Sequence, residues 1–164
     1  SLVWDYLEKA GVPGVLDIVS APITVVKIRK MYAGHAKQVA AAIFGSALTL
    51  QFAKVVIVVD EDVDIHNFRE LQLAIRDRVD ANDDVIVFPG FPGNPLDPSL
   101  PWDFRDELKY GASPHNKLLI DATIDWTKHP VREEWGNRRY PPLSTETSSE
   151  IEQLVDSRWK EYGF

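Results

Sequence analysis

Residues 2–10, "LVWDYLEKA", place Val3, Tyr6, Leu7 and Ala10 on one helical face. That spacing predicts a helix, and Gly11 and Pro13 predict its end. "VLDIVSAPITVVKIRK" is rich in β-branched residues and predicts two strands, roughly 15–20 and 24–30, separated at Pro22. In "GHAKQVAAAIFGS" the residues Ala36, Val39, Ala40, Ile43 and Phe44 recur at helical spacing, and the many alanines let a neighbouring backbone approach. "KVVIVVD", residues 54–60, is a continuous apolar run of strand length, the pattern of a strand covered on both faces. Asn67 and Glu70 have capping-box spacing and predict a helix with Phe68, Leu71, Ile75 and Val79 inward. "DDVIVF" and "KLLIDAT" (117–123) read as further strands. Thr147 and Glu150 predict the start of a last helix, with Ile151, Leu154, Val155 and Trp159 as its stripe and Gly163 as its end. Strands alternating with helices predict a layered α/β fold. If the first two strands pair as a hairpin, its central sheet is mixed.

Between the strand at "DDVIVF" and the strand at "KLLIDAT" lies "FPGFPGNPLDPSLPWDF", with Pro89, Pro92, Pro95, Pro98 and Pro101 on every third position. Three residues is the repeat of a polyproline II helix, which would put Gly90, Gly93, Leu96, Ser99 and Trp102 on one face. The fixed φ of each proline predicts a partly stiffened arm, loosened at Gly90 and Gly93. It reads either as an ordered surface loop or as a loop that carries an apolar side chain into a site.

The chain has 164 residues, 45% hydrophobic and 26% charged, enough for one domain with a full core. It has no cysteine, which excludes disulfides, thiol catalysis and zinc–thiolate sites. A net charge of −7 makes it a poor binder of nucleic acid or of an anionic membrane. Its apolar runs are short of a bilayer span, and a cytoplasmic protein is the expectation. The first residue is Ser1, so the chain is expected to be processed or a piece of something longer.

"VVIVVDEDVD" is the most suggestive chemical motif. A buried strand ending in Asp-x-Asp is similar to haloacid-dehalogenase-type phosphatases, with Asp60 as nucleophile and Asp62 as general acid. Lys117 and Asp121 would have to supply the remaining Lys and metal ligand. A calcium loop fails, because Ile65 replaces the required Gly and Leu71 the bidentate Glu. The alternative is an acidic turn feeding a helix N-terminus. None of His35, His66, His115 and His129 has a histidine partner at i+3 or i+4, so no local His–His metal pair exists, and His35 reads as a structural hydrogen-bonding residue. No glycine-rich phosphate loop or nucleophile elbow is present.

Taken in order and spacing, "MYAGHAKQVAAAIFGS", "KVVIVVDEDVDIHN", "FPGNPLDPS" and "KLLIDAT" resemble the C-terminal region of UbiD-type decarboxylases over about residues 24–123, and the closing helix fits as well. Leu73 stands where the family usually has Trp, Asp77 where Thr is common, and Leu119 where Gly is usual, departures that touch packing more than chemistry. The resemblance implies a carboxy-lyase that reversibly decarboxylates aromatic or α,β-unsaturated acids with prenylated FMN, held by a divalent metal and potassium. It implies that the flavin and the catalytic Glu–Arg–Glu set lie in an N-terminal flavin-binding domain. No residue of this chain matches that set, so the chain alone is expected to be inactive and to bind no cofactor. For this chain the resemblance implies an α/β domain at 1–143 that closes the substrate pocket, with Pro95 and Leu96 over the substrate ring and Phe91 and Phe88 as further pocket residues. It implies a protruding helix at 144–164 that makes a homodimer or a higher oligomer. The implied partners are the flavin-binding domain, a second copy and a small aromatic acid, with neither nucleic acid nor membrane among them. Two other readings stay open: a non-catalytic assembly or regulatory module, and a metal-dependent phosphatase using Asp60 and Asp62.

Overall fold

The computed structural model describes residues 2–47, 53–139 and 149–162. Helix α1 (Leu2–Lys9) leads into strands β1 (Val15–Val19) and β2 (Thr24–Ile28). Helix α2 (His35–Gly45), strand β3 (Val55–Asp60), helix α3 (Phe68–Arg78) and strand β4 (Val85–Gly93) follow. A 3-10 turn at Trp102–Arg105 and a short helix α4 (Glu107–Tyr110) precede β5 (Ser113–Ala122), and α5 (Ser149–Ser157) comes last. The Thr147 cap and the Gly163 stop expected of that last helix fall outside the described residues.

The five strands form one mixed sheet in the order β1-β2-β3-β5-β4. β2, β3 and β5 run parallel at its centre, and β1 and β4 are antiparallel edges. The expected hairpin of the first two strands is present, with a register shift between Val15 and Asp17 and a cis Ala21–Pro22 peptide between the strands.

Alternation along the central strands explains why both faces are covered. Val26, Ile28, Val56, Val58 and Leu119 point to one face, where they pack with Val3 and Leu7 of α1 and with Ala36, Val39, Ile43 and Phe44 of α2. Val25, Ile57, Val59 and Ala122 point to the other, against Leu71 and Ala74 of α3. The result is an α/β/α sandwich whose continuous "VVIVV" run has no solvent face. Leu119, the residue in place of the family's usual Gly, is fully buried beside Val56 and Val58.

One inward assignment fails. Phe68 is 71% exposed, although the helical stripe placed it in the core. It is the first residue of α3, immediately after the Asn67 cap, and the buried face of the helix begins at Leu71. The cap itself differs from a reciprocal box. The Asn67 side chain accepts from the Arg69 N–H at 3.1 Å, but Glu70 reaches past Asn67 to accept from the Asp64 N–H at 2.8 Å.

Candidate functional site

The proline-rich segment is not a polyproline rod. Its first half is sheet: β4 continues through Phe88, Pro89, Gly90, Phe91 and Pro92 to Gly93. Phe88 pairs with Lys117, Phe91 with His115 and Gly93 with Ser113, with an irregularity between Phe88 and Phe91. β4 is an edge strand, where a proline without an N–H removes no obligatory ladder bond. The bulge at Pro89–Gly90 is made possible by Gly90 at φ 72°, and its N–H donates to the Asn116 side chain at 3.3 Å. At Gly93 the backbone runs directly against His115, so that any Cβ there would overlap the imidazole.

The second half is a chain of turns. Asp97 N–H donates to the Asn94 carbonyl at 3.0 Å, Leu100 N–H to Asp97 at 3.1 Å, and Phe104 N–H to Pro101 at 3.1 Å. Pro95 and Pro98 therefore occupy the second position of consecutive i to i+3 turns, which is where their fixed φ fits. The period of three thus has no single conformation behind it: Pro89 and Pro92 lie in β4, Pro95 and Pro98 share a turn position, and Pro101 opens the next turn. The face proposed for Gly90, Gly93, Leu96, Ser99 and Trp102 does not exist. Gly93 is buried in the strand, whereas Leu96 is 79% exposed and Trp102 projects outward with the Arg105 guanidinium 4.4 Å from its ring.

Of the four candidate pocket residues, the structure separates two pairs. Phe88 and Phe91 turn back into the molecule, with ring centroids 5.3 Å and 6.2 Å from that of Phe44. Pro95 is half-buried, and Leu96 stands at the tip of its turn. Beneath the turns lies an open cleft of about 440 Å³ lined by Lys54, Gly90, Ser99, Leu100, Phe104 and His115, among others.

At the opposite end of the parallel strands sits the Asp-x-Asp motif. Asp60 ends β3, and its Oδ2 accepts the Ile124 N–H at 2.6 Å and Arg78 Nη1 at 3.4 Å. Asp62 takes Arg78 in a bidentate grip at 3.0 and 2.7 Å, and the Arg78 side chain is 1% exposed. The phosphatase reading fails on this geometry. Lys117 is level with Lys54, just before β3, whereas Asp60 ends that strand six residues on, about 20 Å along it at ~3.3 Å per residue. Lys117 Nζ donates to the Ala53 carbonyl, while Asp121 accepts from Thr123. The acidic turn is thus a structural clasp between β3 and the last turn of α3. Arg78 escaped the sequence reading, although its position seven residues after Leu71 put it on the inward face of the helix. Among the described residues no group of three His, Asp or Glu side chains converges on a common metal position.

Burial pushes the Asp60 carboxyl up to about 6, with the Ile124 N–H and Arg78 opposing it and Asp62 adding to it. Because the folded value lies above the unfolded one, Asp60 binds its proton more tightly in the folded state. Its contribution is fully present below about pH 4 and is lost as pH rises through about 6. Relative to Asp60→Asn, the wild type should gain about 2–3 kcal/mol of stability between pH 7 and pH 4. Denaturant titrations of both proteins at several pH values test this, and parallel stability curves would refute it.

The expected role of His35 holds. The ring is fully buried, its Nε2 lies 2.9 Å from the Pro13 carbonyl, and its Nδ1 accepts from the Met31 N–H. Burial lowers its pKa, so it serves as a neutral tie between the β1–β2 hairpin and α2.

Residues 2–122 match the family model described as the 3-octaprenyl-4-hydroxybenzoate carboxy-lyase C-terminal domain. A curated relative, an uncharacterized protein of Archaeoglobus fulgidus, is 35% identical over 139 residues, covering 85% of this chain and 26% of the relative. The vanillic acid decarboxylase of Sedimentibacter hydroxybenzoicus in its open form superposes with a TM-score of 0.69 at 26% identity, over 97% of this chain and 32% of the enzyme chain. The UbiD-class enzyme HmfF from Pelotomaculum thermopropionicum, in complex with FMN, gives 0.64 at 25% identity, over 94% of this chain and 31% of its own. The chain therefore spans about a quarter to a third of the length of the proteins it matches.

Proposed function

The chain belongs to the 3-octaprenyl-4-hydroxybenzoate carboxy-lyase C-terminal domain family, and from that membership we propose that it is the pocket-closing and dimerisation domain of a UbiD-like carboxy-lyase. The full protein would reversibly decarboxylate an aromatic or α,β-unsaturated acid. Prenylated FMN would be bound by an N-terminal domain with a divalent metal and potassium. Among the described residues no three His, Asp or Glu side chains converge on a metal position, and Asp60 and Asp62 are engaged by Arg78 and the Ile124 N–H. When bound, the flavin would supply the electron sink for loss of CO2. This chain would supply the lid.

The observation that carries the reading is Leu96. It is an isobutyl group held 79% exposed at the tip of an ordered turn, within "NPLDPS". Leaving it in water has no folding benefit, whereas laying it on a flat ring buries apolar area and excludes water. Pro95 fixes the backbone immediately before it. Phe88 and Phe91, packed on Phe44, anchor the root of the arm from behind. In the full-length protein, Leu96→Ala should lower kcat/KM by roughly 10- to 200-fold, as for a lost aliphatic contact of about 1–3 kcal/mol, with flavin uptake intact. Unchanged kinetics across a panel of aromatic acids would remove Leu96 from the pocket.

The second part of the proposal assigns residues 1–143 to the α/β domain and 144–164 to an oligomerisation helix. Leu154 and Trp159 are 54% and 52% exposed, and Val155 is half-buried, while the Ile151 side chain lies outside the described set. Burying Trp and Leu side chains on a second copy offers ~1.5–3 kcal/mol for each before association costs. A two-fold dimer is the commonest closed assembly. Trp159→Glu should make the protein monomeric. Light scattering that gives a monomer for the unmodified protein at high concentration would refute the assignment. Among the described residues no helix is long and apolar enough to cross a membrane.

A further inference from the structure

We propose that Asp97 is the positioning residue of the Leu96 lid: its carboxylate, held by Lys54 and facing His115, pins the turn that presents Leu96. The inference rests on the reading of Leu96 as a substrate-facing side chain.

Leu96 makes too little contact of its own to fix its position, so its neighbours must do so. On its N-terminal side, its N–H donates to the Asn94 side chain at 2.9 Å. On its C-terminal side stands Asp97, with a side chain only 15% exposed. Asp97 Oδ2 lies 2.8 Å from Lys54 Nζ and 3.5 Å from His115 Nε2. Asp97 Oδ1 accepts from both the Ser99 N–H and the Ser99 hydroxyl, at 2.8 and 2.7 Å. Lys54 also donates to the Ser99 hydroxyl at 2.6 Å. The Asp97 carbonyl accepts from the Leu100 N–H and from Arg105 Nη2 at 3.0 Å.

These contacts reach two different strands. Lys54 immediately precedes β3, and His115 lies within β5, beside the Gly93 backbone from which the turn departs. The His115 side chain is 4% exposed, and Nδ1 lies 3.0 Å from the Ser113 carbonyl, which leaves Nε2 as the atom facing Asp97. Among the described residues that Nε2 has no hydrogen-bond partner, so a slight approach of Asp97 would complete one. The Asp97 carboxyl is held well below the usual carboxylate range by its hydrogen bond from Lys54. Leu100, 8% exposed, plugs the turn from beneath. The lid is therefore pinned at its C-terminal shoulder by a charge-assisted contact that can be removed without touching Leu96.

The test uses the full-length protein with Asp97→Asn, Lys54→Met and Lys54→Arg beside Leu96→Ala. Amide exchange of residues 94–105, read by mass spectrometry, should quicken roughly tenfold in Asp97→Asn and Lys54→Met, the loss of one charge-assisted bond. Lys54→Arg keeps the charge and should retain protection. The same two loosened variants should raise KM for an aromatic acid severalfold with a smaller change in kcat, because binding must then order the lid. A purely structural role would lower the melting temperature without that split. Unchanged exchange in both variants overturns the pin. Quickened exchange with wild-type kinetics in Asp97→Asn, while Leu96→Ala is impaired, overturns the positioning role. Wild-type kinetics in both would instead refute the lid on which the proposal rests.

Discussion

Arg78→Met should destabilise the domain by about 3–5 kcal/mol, the cost of removing one partner from a buried ion pair. The guanidinium is 1% exposed and binds Asp62 through two nitrogens, with Asp60 beside it. Methionine fills much of the volume, so the expected loss is electrostatic rather than a cavity. Asp60, already raised to about 6 by burial, would lose an attraction that opposes the shift and titrate higher still. Arg78→Lys should recover only part, since an ammonium cannot grip a carboxylate through a planar fork. Neutralising both acids as well, with Asp60→Asn and Asp62→Asn, should recover more than either single change. Urea unfolding of this set gives the measurement. A loss below about 1 kcal/mol for Arg78→Met would mean the clasp is solvated in solution.

That clasp is not legible in the sequence. The unbroken apolar run in β3 and the 3.6-residue stripes of α2 and α3 are properties of local spacing, and they specified the sandwich and its inward faces. Phe68 was misplaced because the stripe alone did not show that the buried face of α3 begins at Leu71. Asp60 and Asp62 looked like chemistry because their partner is 16 or more residues away and becomes visible only when α3 packs on the sheet. The prolines misled in a different manner. A repeat of three fits both a polyproline helix and a succession of turns, and only the hydrogen bonds from Asp97, Leu100 and Phe104 distinguish them. Only family resemblance points to Leu96, and nothing in its own spacing separates it from any surface leucine. The Lys54, Asp97 and His115 contacts join positions 54, 97 and 115, and no local pattern brings those together.

Phe44→Ala should cost about 3–5 kcal/mol, the range for an aromatic removed from a core. Phe44 is 1% exposed on α2, and its ring meets Phe88 and Phe91 edge-on, with centroids 5.3 and 6.2 Å away. Phe88 and Phe91 also meet each other at 6.0 Å, so the three rings form one closed cluster. Each edge-to-face pair adds about 0.5–1.5 kcal/mol beyond area burial, and truncating Phe44 removes two of them. The consequence is not confined to stability. Phe88 and Phe91 flank the bulge at Pro89–Gly90, where β4 has its weakest pairing. With Phe44 gone, that half of β4 loses its backing while the central strands keep theirs. Amide exchange should therefore quicken more along residues 86–93 than along β3, and the arm carrying Leu96 should lose definition at its root. Phe44→Leu, which keeps the site apolar, should retain a good part of both properties. Calorimetry of the two variants, with exchange read on β4 and β3, decides the matter. A loss under about 1.5 kcal/mol, with equal exchange on both strands, would show that the cluster collapses over the gap and that the arm is rooted elsewhere.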